Sequence, residues 1–507
     1  MSVAGDAARA PAAIAGLLLL LAPWPAMARP DAASCASYAR GAAASPQVDG
    51  VRVRIKRAGL ARVAEREVCA IEGRAAGATR FRLLLPLSDW NGRYAQLACD
   101  GDCRVPQPTL CDEVIGRGHA CLATLAPPGD APPPEGVSHA LASVAATLLA
   151  RFYDKPAARR VFLGCGAGGH EALRLAQAHP ADFNGIVAGA PLIEPAAQAR
   201  VLQWNRAAAH ARSALTDDAL RRLHRGALAT CDRGDGLVDG LIGDPLRCRF
   251  DPASLACDAP AMAGRAADCL APAAIEAARK IYAGPPNPSG EASGTAGLLP
   301  GSELEWSAAW AVPPARAPRA GAGVAGSTDL AAFAAAGGKL VLYQGLADAR
   351  ISPRRTIRWF EDMARARGGL VKAQATVRFF AVPAMAHCGG GEGASRIDFL
   401  AALETWVGQG SVRPPDDIVA FRVADAARRV HPFAPLAYDP AQAVFAGWML
   451  GAPTSLSQAR QQSASLLSRA VFAYPVPTHY KGRGDPSNWI NFFAPAEYTL
   501  QFDGVAR

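Results

Sequence analysis

The sequence predicts an α/β protein, with a mostly parallel sheet covered by helices on both faces. Three observations predict it. Short apolar runs alternate with helix-period stretches along 51–203, and the pattern resumes at 338–407. A strand, a Gly-rich turn, a helix and a second strand follow one another without a break in Val161–Pro191. Half of the 507 residues are hydrophobic and 19% are charged, which suits a globular chain with a large core.

Each element has a local reason. Residues 29–50 are a segment of small residues. Val51–Ile55 and Phe81–Leu87 alternate or run apolar as strands do. Trp90-Asn91-Gly92-Arg93-Tyr94 turns into the strand Tyr94–Leu97. Cys99–Cys111 reads as a cysteine-rich loop, His119–Thr124 as a strand, and Ala126–Gly136 as a Pro-rich loop. Ser138–Tyr153 reads as a helix leading to the strand Val161–Leu163. Glu171–Ala178 places Ala172, Leu175 and Ala176 at i, i+3 and i+4, so it is a helix, and Phe183–Ala190 is a buried strand.

Composition changes after Gln203. Thr216–Leu228 is helical, residues 231–270 hold four cysteines and many aspartates, and 284–326 is rich in Pro, Gly, Ala and Ser and looks irregular. Strands resume at Gly338–Tyr343 and Val377–Val382, and Arg396–Val407 is helical. Residues 424–468 hold helical patches without a chemical signature, and Tyr474–Phe493 suggests a wrapped, loop-like ending. The expected division is a signal peptide (1–28), a first core part (29–203), an inserted lid (204–326) and a second core part (327–507) with 424–468 as an extra segment.

The signal reading rests on Arg9, the apolar run Ala12–Ala22 and the A-x-A pattern Ala26-Met27-Ala28. That run is too short to span a bilayer comfortably, and no later segment reaches the length of a transmembrane helix. The expectation is an exported protein, periplasmic or extracellular. Net charge is +9, but the arginines are scattered and no Lys/Arg run suggests nucleic acid. Twelve cysteines in an exported chain point to disulfides. Cys35, Cys69, Cys165, Cys231, Cys248, Cys257, Cys269 and Cys388 are expected in bridges, while the pairing of Cys99, Cys103, Cys111 and Cys121 is left open.

The stretch around which the chain is organised is Gly164-Cys165-Gly166-Ala167-Gly168-Gly169. A strand entering a tight turn before a helix is how an α/β hydrolase presents its nucleophile, in a G-x-S-x-G frame. Here the apex of that frame is Gly166, which has no oxygen to attack with. The same letters fit G-x-G-x-x-G, but a dinucleotide site needs an acidic residue about 20 residues on. The next strand ends Ala188-Gly189-Ala190-Pro191, without one.

Hydrolase triads on such a sheet follow the chain order nucleophile, acid, histidine. Asp348 follows the strand Leu340–Tyr343, and His387 follows Val377–Val382 in the Gly-rich loop Ala384–Gly390. A histidine there can reach over the elbow and titrate near neutral pH. Cys165 precedes Gly166 and Cys388 follows His387. If the two reactive positions face each other, their neighbours are close enough to bridge; a free Cys165–His387 dyad is the alternative.

Cys231-Asp232-Arg233-Gly234-Asp235-Gly236-Leu237-Val238-Asp239-Gly240-Leu241 carries three aspartates at spacings of three and four, interleaved with glycines. Carboxylates and backbone carbonyls suit a hard cation, and a flexible all-protein cage favours Ca2+ over Mg2+. The spacing is not that of an EF-hand. Cys231 and Cys248 look like a staple closing this loop.

Taken together these motifs resemble the tannase and feruloyl esterase family. The resemblance runs through Trp90-Asn91-Gly92-Arg93, the elbow, Asp182-Phe183-x-Gly185-Ile186-Val187-Ala188-Gly189-Ala190-Pro191, Cys231–Leu241, Gly337–Leu340, Asp348, His387-Cys388 and the ending Tyr474-Pro475, Tyr480-Lys481-Gly482 and Asn491-Phe492. It implies an α/β-hydrolase fold with an inserted lid, and a Ser-His-Asp triad in which Asp348 is the acid and His387 the base. It also implies a Cys165–Cys388 bridge, and a structural Ca2+ held by the Asp232, Asp235 and Asp239 side chains and the Leu237 and Leu241 carbonyls. The implied substrates are phenolic esters such as gallates and ferulates, and the implied oxyanion donors include the Ala167 amide.

The departures are specific. Gly166 stands where the family has serine. The Gly-rich oxyanion segment is replaced by Ala98-Cys99-Asp100-Gly101-Asp102-Cys103, and Asp100 puts a negative charge where an oxyanion would form. Gln344 and Leu346 stand where His and Trp are usual, and Phe472 and Ala494 replace a cysteine pair. The expected activity is therefore an impaired phenolic-ester hydrolase; the other reading is an inactive relative that binds an aromatic ligand or a partner.

Overall fold

Strand-forming runs dominate the first hundred residues and helices intervene later, so the sheet changes from antiparallel to parallel along its width. The computed structural model describes residues 30–40, 46–77, 79–98, 108–125, 134, 136–210, 215–258, 268–286, 297–311, 327–408, 416–423 and 466–495. Ten strands form one sheet: β1 Gln47–Val48, β2 Val51–Val63, β3 Arg66–Ala75, β4 Thr79–Pro86, β5 Arg93–Ala98, β6 Ala120–Leu125, β7 Arg159–Cys165, β8 Gly185–Gly189, β9 Lys339–Gly345 and β10 Val377–Val382. Their order is β1-β2-β3-β4-β6-β5-β7-β8-β9-β10. The first four pair antiparallel, β4 pairs antiparallel with β6, and β6 through β10 run parallel.

The parallel strands read as continuous apolar runs because both of their faces are covered. Every residue of β8 is buried, as is Val161–Cys165 of β7. One core cluster packs Phe162, Ile186, Leu340 and Leu342 against the helices Val137–Tyr153 and Ala167–Ala178. A second packs Val161, Leu163, Val187 and Val341 against the helix Phe399–Gly408 on the other face. A third cluster, with Leu220, Leu223, Ile242, Ile275, Ile281, Trp306 and Trp310, belongs to the segment between β8 and β9.

Several expectations need correction. β2 runs to Val63, and the strand Arg66–Ala75 had no sequence signal. Its hairpin turns at Ala64 and Glu65, both at positive φ without a Gly or Asn to announce the turn. The small-residue segment holds the helix Ala32–Arg40, and the described end of the cysteine-rich loop is helical from Pro108 to Gly116. The supposedly irregular 284–326 contains the helix Trp306–Ala311. The helix expected from Arg396 begins at Phe399, because the Arg396 backbone pairs with Phe421 instead. The ending is more than loop: β11 Asp417–Val423 pairs with β12 Leu466–Phe472, and β13 His479–Tyr480 with β14 Phe492–Phe493. The signal segment, Cys99, Asp100, Cys103 and nearly all of 424–468 lie outside the described residues.

Candidate active site

The site grows from the C-terminal ends of β7, β9 and β10. β7 ends at Cys165, and the helix Ala167–Ala178 starts two residues later, so one residue must turn the chain. Gly166 does so at φ 57° and ψ −114°, a left-handed conformation that strains any residue with a Cβ. Its amide donates to the Gly189 carbonyl at 3.0 Å, and its carbonyl accepts the Leu192 amide at 3.1 Å. The elbow is thus a fixed bend. Ala167 opens the helix, so its N–H lies at the positive end of the helix dipole.

Asp348 lies three residues past β9 and is fully buried. Its Oδ2 lies 2.7 Å from His387 Nδ1, and its Oδ1 accepts the amides of Arg350 (2.8 Å) and Ile351 (2.9 Å). A carboxylate so placed holds the imidazole with Nδ1 protonated and presents Nε2 as the acceptor. The loop after β10 carries His387 and docks on the acid's loop through the Ala347 amide and Met385 carbonyl, at 2.9 Å.

Cys165 and Cys388 are disulfide-bonded, with Cα atoms 5.9 Å apart. The neighbours of Gly166 and His387 are therefore covalently joined, and the free-thiol dyad is excluded. The other described pairs are Cys35–Cys69, Cys111–Cys121, Cys231–Cys248 and Cys257–Cys269. The Cys111–Cys121 pair had been left open by sequence.

Sequence reading missed the groups around this pair. Gln344, noted only as a departure, donates Nε2–H to Asp348 Oδ2 at 2.9 Å while its Oε1 accepts from Thr356 at 2.8 Å. It fixes the acid from the side opposite the backbone amides. The available signal was a fully buried polar residue at the end of an apolar strand. Burial first, then the charges of Glu392 and Asp348, push Glu305 up to about 7, so a near-neutral carboxyl lies within electrostatic reach of the acid.

His224 ties the segment between β8 and β9 to the histidine loop. Its Nδ1 contacts Glu303 at 2.8 Å and its Nε2 contacts Glu392 at 3.0 Å. Burial alone would lower its pKa, but the hydrogen bonds and charges of the two carboxylates outweigh it and raise it to about 10. A raised pKa stabilises the fold fully below the unfolded value of about 6.5, and that contribution is gone above about 10. His224→Gln should therefore cost about 3–5 kcal/mol at neutral pH, since it leaves buried carboxylates unpaired. Melting curves of both proteins against pH check this: the gap must close as pH passes 10, and a pH-independent gap would reject the ion-pair account.

The aspartate loop turns its carboxylates onto its own backbone amides. Asp232 accepts the amides of Asp239 (3.1 Å) and Gly240 (2.9 Å), Asp235 that of Leu237 (3.0 Å), and Asp239 that of Leu241 (3.2 Å). Asp232 and Asp235 are buried, and the Arg469 guanidinium pairs with Asp239. Burial, with the charges of Asp239 and Asp232 adding, raises Asp235 to about 6. A Cβ on Gly243 would lie 2.3 Å from Asp235 Oδ2, so only glycine leaves room for that carboxylate. Three carboxylates and the backbone carbonyls of one glycine-rich loop are the hard oxygen donors that suit Ca2+.

The fold and the acid–histidine pair define an α/β hydrolase. Solved structures agree with the fold: feruloyl esterase B from Aspergillus oryzae superposes at TM-score 0.69 and 19% identity, covering 91% of this chain and 99% of that one. Tannin acyl hydrolase from Aspergillus niger gives 0.59 at 15% identity, covering 89% and 93%. The family model described as tannase and feruloyl esterase matches residues 137–317 and 318–494, and the chain belongs to that family. Among sequence relatives, a mono(2-hydroxyethyl) terephthalate hydrolase from Piscinibacter sakaiensis is 28% identical over 433 residues, 69% of this chain and 65% of that protein. A probable feruloyl esterase B-2 from Aspergillus flavus is 27% identical over 329 residues, 54% of this chain and 61% of its own length. The match thus spans a little under two thirds of each of these relatives.

Proposed function

We propose that this protein is an exported carboxylic ester hydrolase for phenolic esters whose missing elbow serine leaves it slow. One observation carries the reading: His387 is bonded to the buried Asp348 at 2.7 Å and disulfide-joined through Cys388 to the residue before the elbow apex. The acid and base are retained; the hydroxyl is not. In this reading a water over Gly166 gives its proton to His387 Nε2 as its oxygen attacks the ester carbonyl. The oxyanion is held by backbone N–H groups, Ala167 among them. The tetrahedral intermediate collapses, and the leaving alkoxide takes the proton back from His387, releasing acid and alcohol. Loss of a nucleophile costs serine enzymes on the order of 10⁶ in turnover, while binding and the oxyanion hole alone keep about 10³–10⁴ over water. Turnover of methyl ferulate by the native chain should be slow and should vanish in His387→Ala; rapid native turnover would mean another nucleophile.

Gly166 itself favours a second reading, a scaffold that captures an aromatic ligand without cleaving it. Saturable ferulate binding with no His387-dependent hydrolysis selects that reading. The five bridges among the described residues suit an oxidising compartment. Among the described residues no helix is long and apolar enough to cross a membrane.

We assign the segment between β8 and β9 as the lid. Asp232, Asp235 and Asp239, with the Leu237 and Leu241 carbonyls, would hold Ca2+, which ties the loop together and takes no part in the reaction. At a hundredfold excess over its dissociation constant, such an ion contributes about 3 kcal/mol. Chelation should then lower the melting temperature by on the order of 5–10 °C, and Asp235→Asn should abolish that response. A chelator-insensitive native melt would remove the ion from this loop.

A further inference from the structure

A cluster unrelated to the acid–histidine pair gathers where the first hairpin meets two helices. Asp49 sits at φ 46° in the two-residue turn between β1 and β2. His139 lies in the first turn of the helix Val137–Tyr153, and His179 caps the end of Ala167–Ala178. One ligand atom from each of the three lies within 4.8 Å of the others. We propose that Asp49, His139 and His179 form a binding site for a divalent transition-metal ion of the Zn2+ class.

The geometry of His139 carries the argument. Its Nδ1 lies 2.7 Å from Asp182 Oδ2, and its Nε2 lies 3.2 Å from Asp49 Oδ2. A carboxylate on Nδ1 fixes the tautomer that leaves Nε2 as a lone pair, the outer-shell arrangement typical of zinc-bound histidine. That lone pair then faces the Asp49 carboxylate, so a cation must lie between them: a proton or a metal. Tetrahedral Zn2+, with bonds of about 2.0–2.2 Å to nitrogen and oxygen, sets its ligand atoms about 3.3 Å apart. The observed 3.2 Å matches such an edge.

His179 is the third member of the cluster. Its ring stacks on His139 with centroids 3.7 Å apart and planes at 11°. Two imidazolium ions do not stack at that distance without strong repulsion. With a metal ion in place of the proton on His139 Nε2, two imidazoles and two carboxylates sum to −2, which one divalent ion neutralises. Stacked rings do not both point their lone pairs at one ion, so binding requires His179 to swing out of the stack. Imidazole nitrogens select Zn2+ and its neighbours over Ca2+, which separates this site from the aspartate loop. With three protein ligands a water completes the shell. The ion would pin the hairpin turn to both helices.

The test uses the full chain, free of any histidine tag, dialysed from chelator into Ca2+-containing buffer. Titration with ZnCl2 by calorimetry should show saturable binding of one ion and a rise in melting temperature. Asp49→Asn, an exposed change that leaves the fold intact, should weaken binding at least tenfold; Asp182→Asn, acting through His139, should weaken it by about 10–100-fold. Co2+ in place of Zn2+ should give the visible absorption of a tetrahedral nitrogen–oxygen site, lost in His179→Gln. Absence of saturable Zn2+ binding, or unchanged affinity in both Asp49→Asn and His179→Gln, would overturn the site and leave His139 held only by its contacts to Asp182 and Asp49.

Discussion

Gly166→Ser should raise turnover of methyl ferulate and p-nitrophenyl acetate by on the order of 10³-fold or more. The bend at φ 57° and ψ −114° already aims a side chain out of the strand–helix turn, and His387 is already oriented by Asp348. Restoring Oγ supplies the missing member of a unit whose parts contribute non-additively, which is why one hydroxyl carries so much of the rate. The same substitution puts a Cβ into a left-handed conformation, at a stability cost of about 1–3 kcal/mol. Activity should therefore rise while the melting temperature falls. Adding His387→Ala to the variant should abolish the gain. A variant that folds, melts a few degrees lower and gains nothing would show that the loop containing Asp100 blocks the oxyanion, and the hydrolase reading would give way to ligand capture.

Removing the Cys165–Cys388 bridge with a double alanine variant should be the most destabilising of the disulfide losses. The bridge spans 223 residues, and the chain-entropy relation assigns such a loop about 5 kcal/mol. The same relation gives about 3 kcal/mol for Cys111–Cys121, which spans 10 residues. Cys388 is also held at φ 62°, a conformation a cross-link helps to impose beside the base. Thermal melts of the two double variants should rank in that order, the first falling on the order of 10 °C. In a Gly166→Ser background, loosening the base by about 1 Å should also cost about 10²-fold in kcat. Equal melting temperatures for native and bridge-free protein, or alkylation of Cys165 without reductant, would sink this prediction.

Sequence carried the parallel half of the sheet well. β7 to β10 are buried on both faces, so their apolar runs stand out from the polar turns that bound them. The antiparallel half was partly hidden. β3 intersperses Glu67, Glu72 and Arg74 among its apolar residues, and its turn lacks glycine. The helix Pro353–Ala366 went unread although its buried Ile357, Phe360, Met363 and Ala364 recur at helical spacing.

What the sequence determined by itself was the set of chemical parts and their order: a bend without a hydroxyl, an acid, a histidine and paired cysteines. Each lies in a short contiguous motif whose turn and strand signals are local. Only the folded chain decided which parts meet. Asp348 and His387 are 39 residues apart, Gln344 reaches the acid by leaving its own strand's apolar pattern, and His224, Glu303 and Glu392 come from separate segments. Such contacts depend on strand order and helix placement, which are set by packing across the whole sheet and leave no mark in the spacing of residues along the chain.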